Sequence, residues 1–239
     1  MSKTAAPSTD LQRFSSIRAV RPAVALPSCP LVLKHLYADG LEAHMTAFEV
    51  GFNRRADTIT RIKNLMARAK VVDGRYDVAL RRFAPSVRDS RGIGAATALG
   101  IMLGGVTPGE LVRKPYAEEH LRTLELLHQV KDHPDYTYDQ DAYDELGLAN
   151  QELGAVVDEI AAEELAEIAD TAAHKANREA FDATYTTFRQ TARAVLGDEG
   201  ARAYIPEFVT TPKAKDTSGG AASEVRSDAD GDVDIDAAE

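Results

Sequence analysis

The sequence predicts an all-α fold, an antiparallel helical bundle, on three observations. Apolar residues recur at three- and four-residue steps over most of the chain. Aromatic side chains make up only 6% of it. No stretch alternates apolar and polar residues as a half-buried strand would. Trp is absent, so the core must rest on Leu, Ile, Val and Ala, which suits helix packing better than aromatic-rich strands. A chain of 239 residues can bury a sizeable core. The pattern divides it into an extended N-terminal arm (1–30), one bundle of about five to seven helices (31–211) and a disordered acidic tail (212–239).

Pro7, Pro22, Pro27 and Pro30 interrupt the first segment, which predicts an extended arm with one short turn; the stretch from Ser15 to Val20 could dock on the core. A long helix follows over 38–70, with Leu41, Met45, Phe48, Phe52, Ile59, Ile62, Leu65 and Met66 on one stripe. Arg54, Arg55, Arg61, Lys63 and Arg68 mostly fall off that stripe. Asp73-Gly74 reads as a turn, and a second helix through Tyr76, Ala79, Leu80 and Phe83 ends at Pro85. Alanine and leucine favour helix over 89–106, Thr107-Pro108-Gly109 breaks it, and Pro115 opens the next helix, which Pro134 closes. After a polar, tyrosine-bearing connection over 132–144, two apolar stripes mark the final third. Leu153, Val156, Val157, Ile160, Leu165 and Ile168 form one; Phe181, Tyr185, Phe188, Ala192, Val195 and Leu196 form the other. Asp170-Thr171 is compatible with a new cap or with a continuous helix, and Gly197 and Gly200 end the element. Ala201 to Val209 then packs back on the bundle through Tyr204, Ile205 and Phe208.

Beyond Pro212 there is little to bury, hence the expectation of a disordered tail. Asp228, Asp230, Asp232, Asp234, Asp236 and Glu239 match the spacing of a calcium-binding loop, with Ile235 at its apolar position. Val233, however, stands where that loop needs Gly, so a solubilising tail is the better reading.

The net charge of −10 hides an asymmetry. Residues 1–91 hold 16 Lys/Arg and 8 Asp/Glu; residues 92–239 hold 12 and 30. Either the two halves neutralise each other across helix faces, or the basic half binds phosphate. The spread of the basic residues and the lack of interleaved aromatics favour the first and disfavour nucleic acid as a partner. The single cysteine, Cys29, can form no intramolecular disulfide and reads as a small buried hydrophobe. The first sixteen residues lack the apolar core of a signal peptide, so the expected location is the cytoplasm.

From Gly92 to Gly109 there is no charged side chain, in a chain that is 28% charged. Membrane contact is one explanation, but the strongly apolar part covers only 95–106, and no aromatic belt flanks it. A crowded, buried central helix is preferred, with Ala96, Gly100 and Gly104 as a close-packing face. Glu125 and His128 match the i, i+3 ligand pair of bundle metal sites, yet the second such pair is missing: Asp170 and His174 stand four apart. A solvated helix face is therefore the plainer reading of Glu125 and His128, and no cofactor is implied. No nucleophile, phosphate-loop or dinucleotide signature appears, so enzyme activity lacks residue-level support, although a site assembled from distant residues stays open.

The segment from Gly109 to Glu119, GELVRKPYAEE, resembles an uncharacterised bacterial all-helical family of similar length that carries a G-x5-P-Y-x-E-E segment and then a Leu-rich helix. Leu146-Gly147-Leu148 and Tyr204-Ile205-Pro206-Glu207-Phe208 extend the likeness, which spans roughly 38–210. The glycine-rich 92–105 run and the Pro-rich arm depart from it. That family is a domain of unknown function, so the resemblance implies a helical bundle and no chemistry. Physically, Pro115 turns Lys114 away from helix and fixes a corner, Tyr116 buries its ring there, and Glu118 and Glu119 favour the positive end of the new helix. The sequence thus points to a non-enzymatic structural or protein-interaction protein, possessing a protein partner or forming a homo-oligomer. The alternatives are a membrane-active protein using 92–109 and a metal-dependent bundle enzyme.

Overall fold

A computed structural model describes residues 7–206; the acidic tail, its candidate calcium loop and Phe208 lie outside the described residues. The fold is all-α. Helix α1 covers Asp10–Ala25 and α2 Leu31–Leu36; a π-turn at Tyr37–Leu41 leads into α3, Glu42–Phe83. Three helices follow: α4 at Ala95–Met102, the single turn α5 at Pro108–Leu111, and α6 at Tyr116–Asp132. The chain then enters the 62-residue α7, Gln140–Ala201, in which Gly197 breaks the helical path at φ 70°. Two-residue strands β1 (Arg88–Asp89) and β2 (Tyr136–Thr137) pair antiparallel.

Helices α3 and α7 run antiparallel along nearly their whole length and form the backbone of the molecule. On α3 the inward residues are Thr58, Ile62, Leu65, Ala69, Val72, Tyr76, Ala79 and Phe83; on α7 they include Leu153, Val156, Ile160, Glu163, Glu167, Asp170, His174, Asn177 and Phe181. Both sets step by three and four, the heptad spacing of a coiled-coil seam. Along its rim Arg54, Arg61, Arg68, Arg75 and Arg82 follow one another every seven residues. They meet Asp170, Glu163, Glu159, Glu152 and Glu145 in turn. Five arginines of the basic first half and five acids of the second half therefore neutralise each other across one helix pair. Each exposed pair is worth about 0–1 kcal/mol. Collectively they select the antiparallel register, because a parallel alignment would not bring these arginines to these acids.

The apolar core is divided. One cluster, around Tyr76, Phe83, Leu99, Leu126, Leu146 and Leu153, lies where α4 and α6 cover one end of the α3–α7 pair. The other, around Ile17, Leu33, Phe48, Phe181, Tyr185 and Phe188, lies where α1 and α2 cover the opposite end. Between them the seam is polar. Asp170, only 4% exposed, accepts a hydrogen bond from Thr58 Oγ1 at 2.8 Å and forms an ion pair with Arg54, whose Nε lies 2.7 Å away.

Several sequence expectations are corrected. The N-terminal arm is not extended but helical: Thr9 caps α1 by accepting from the Gln12 amide, and burial of Ile17, Val20, Ala23 and Val24 outweighs the hydrogen bond lost at Pro22. Asp73-Gly74 makes no turn; α3 runs through it because Val72 and Tyr76 must both stay in the seam. The helix over 89–106 shrinks to the eight residues of α4. Among the described residues no helix is long and apolar enough to cross a membrane. The face of α4 that packs is Ala98, Leu99 and Met102, followed by Leu103, not Ala96, Gly100 and Gly104. A Cβ at Gly100 would meet nothing within 4 Å, Ala96 is exposed, and Gly104 lies past the helix with φ 65°, a conformation that favours glycine. Of the two readings open at Asp170-Thr171 the continuous helix is the one found, while Leu165 and Ile168 leave the inward stripe for solvent.

The tightest helix approach is instead at Gly154 of α7, where a Cβ would lie 2.3 Å from His120 Cε1 on α6. His120 Nδ1 meets the Asn150 carbonyl at 3.0 Å, and Asn150 Nδ2 donates to the His120 carbonyl at 3.2 Å, which pins α6 against α7. Gly154→Ala is expected to lower the unfolding free energy by about 1–3 kcal/mol through overpacking. Gly74→Ala, where a Cβ meets nothing within 4 Å, should raise it by about 0.5–1 kcal/mol through helix propensity. Urea titration of the two variants checks the opposite signs.

Candidate functional site

The surroundings of Glu119 perturb its carboxyl strongly. Pro115 stands at the N-cap of α6 with φ −56° and ψ 140°, and Tyr116 opens the helix. The corner expected at Pro115 and Tyr116 is there, but the two following acids part company. Glu118 faces outward and binds Arg122 at 2.9 Å and Lys114 at 3.4 Å. Glu119 shares the inward stripe of α6 with Thr123, Leu126 and Val130, and it is only 1% exposed. Its place at the positive helix end does not define it; the neighbours from α3 do.

Those neighbours are Asp73 and Asp77, one turn apart on α3. Between them on the same helix Tyr76 turns into the core and shares a hydrogen bond of 2.7 Å with Thr123 Oγ1. Glu119 Oε2, Asp73 Oδ1 and Asp77 Oδ1 are all buried with no donor to satisfy them other than a proton carried by the cluster itself. Burial, then the charge of Asp73, a hydrogen bond to Asp73 and the charge of Asp77 push the Glu119 carboxyl up to about 8. Burial and Asp77 also raise Asp73. The arrangement holds a proton at neutral pH on a carboxyl between two helices.

A second polar group ties α1 to the seam. Asp10 lies 3.0 Å from His174 Nε2, 2.9 Å from Arg178 Nε and 3.2 Å from Arg13. Arg13 also binds Asp182. Burial pushes the Asp10 carboxyl up, but the hydrogen bond to His174 and the charges of Arg178, His174 and Arg13 prevail and hold it below its ordinary value. His174 is sandwiched near Phe48 and Phe52, with ring centroids 5.2 and 5.9 Å away, and its Nδ1 is buried without a partner. Asp170 and His174 thus point to different partners and do not act as a pair.

Glu125 and His128 lie where a solvated helix face would place them. Both residues are exposed on the outer face of α6. Among the described residues no group of three or more His, Cys, Asp or Glu side chains could hold a metal ion. Cys29 is buried in the core cluster around Phe181. Two shallow hollows, of about 300 and 400 Å³, lie beside Leu36 and Thr184 and beside Arg61 and Glu163. Neither contains the Glu119 cluster.

Sequence reasoning named Glu119 only as a residue of the helix corner and missed its buried acidic surroundings, and it missed the seven-residue spacing of the arginines. Their signals were present: Glu119 falls on the apolar step of α6, and arginine recurs every seven residues along α3. No protein-family model, curated protein or solved structure matches the chain.

Proposed function

We propose that the protein is a non-enzymatic helical structural or interaction protein that associates with itself. One observation carries the reading: large apolar side chains stand exposed on the outer surface of the helix pair, Leu165 at 69% and Ile168 at 63%, where no third helix of the described residues covers them. The chemistry of the described residues agrees. Arg54, Arg61, Arg68, Arg75 and Arg82 are spent on acids of α7, and the perturbed acid, Glu119, sits at the joint between α3 and α6. A cytoplasmic setting is part of this reading.

Size-exclusion chromatography with light scattering tests it. A dimer or larger assembly at micromolar concentration is the expected result; a strict monomer at several hundred micromolar overturns it.

A further inference from the structure

The exposed face of α7 at the middle of the molecule has an order that none of its other faces needs. Asp158, Ala161, Leu165, Ile168, Ala172 and Lys175 follow one another at steps of three, four, three, four and three, and all six are exposed. They therefore form a second heptad stripe on α7, turned away from the seam with α3. Leu165 and Ile168, the large residues, stand at its centre, flanked by alanines and then by opposite charges at the two ends.

This stripe is complementary to itself when reversed. We infer that two copies of the chain pack α7 against α7 in antiparallel fashion, about a two-fold axis passing midway between Ala166 and Glu167. The inference rests on the self-association proposed above and assigns it a surface. In that arrangement Leu165 of one copy faces Ile168 of the other, Ala161 faces Ala172, and Asp158 faces Lys175. Each contact occurs twice, as an isologous interface requires. The parallel alternative places Asp158 against Asp158 and Lys175 against Lys175, and like charges oppose it. Ala161 and Ala172 let the helix axes approach to about 8 Å, the short end of the helix-packing range. At the centre of this stretch the partners of α7 come from α3: Arg61 meets Glu163, Arg55 meets Glu167 and Arg54 meets Asp170.

Sedimentation equilibrium of the full chain tests the assignment, with far-UV circular dichroism to confirm folding. Because Leu165 and Ile168 are exposed, the double variant Leu165→Glu/Ile168→Glu keeps its fold, and its dimer dissociation constant is expected to rise by about 100-fold or more. Asp158→Lys and Lys175→Asp should each weaken the dimer several-fold, since each sets like charges face to face twice. Combining them should restore it, because the pairing is re-formed with its signs exchanged. A wild-type dimer that Leu165→Glu/Ile168→Glu leaves intact would place the interface elsewhere while self-association stands. A dimer sensitive to that change, but not restored by the charge exchange, would overturn the antiparallel register. A wild-type monomer would overturn this inference and the proposed function together.

Discussion

Replacing Glu119 by Gln is expected to stabilise the protein at pH 9 by several kcal/mol, and to leave its stability nearly unchanged at pH 4. The sign follows from where the proton sits. In the unfolded chain this carboxyl titrates at its ordinary 4.5; in the folded protein it is pushed up to about 8. Below 4.5 both states hold the proton and pH has no leverage. Between 4.5 and 8 the unfolded chain gives up the proton while the folded protein keeps it. Stability therefore falls by about 1.4 kcal/mol for each pH unit in that window, and levels off above 8. Gln is neutral throughout, has nearly the same shape, and its amide can still donate to Asp73, so it removes the slope without opening a cavity. Urea unfolding at pH 4, 6, 7.5 and 9 on both proteins measures the difference. Parallel profiles, with a constant offset, would show that the folded Glu119 ionises like an ordinary glutamate.

The fold class was legible because helical periodicity is a local property that survives into the tertiary structure. The stripe of Phe181, Tyr185, Phe188 and Ala192 is buried as expected. The elements that went astray did so where long-range packing overrode a local signal. Pro22 and Gly74 are both poor helix residues, yet each lies in a helix whose apolar face was already committed to a partner. The uncharged run at 92–109 misled in the opposite direction. Its lack of charge suggested a long buried helix, while its glycines allowed positive φ at Gly92, Gly104 and Gly105 and broke the run into turns around one short helix. The candidate site was less legible still. Glu118 and Glu119 are indistinguishable by type and adjacent in sequence. Only the placement of Glu119 on the 119–123–126–130 stripe, and the arrival of Asp73 and Asp77 from a helix some forty residues away, gives it a different environment.

Removing the Phe181 ring is expected to lower the unfolding free energy by about 3–5 kcal/mol, and to do so mainly at one end of the molecule. Phe181 is fully buried, stacked on Tyr185 with centroids 5.4 Å apart and on Phe48 at 5.7 Å. A Phe181→Ala cavity therefore strips contacts from α1, from the start of α3 and from the end of α7. The opposite cluster, around Tyr76, Leu126 and Leu153, shares no side chain with it. What lies between is the polar layer of Thr58, Asp170 and Arg54 and the exposed ion pairs on either side. Such a layer fixes the register of two helices but transmits little packing strain, because its groups are satisfied by hydrogen bonds rather than by close fit. A domain loses 3–5 kcal/mol from a total of about 5–15 kcal/mol, so a local loss of that size is enough to let one end open while the other holds. Hydrogen exchange on Phe181→Ala should accordingly show protection lost over 10–58 and 170–205 and retained over 69–90 and 116–160. Uniform loss across both ends would mean that the long helices themselves carry the cooperativity, and that the polar layer couples the two clusters as tightly as a continuous core.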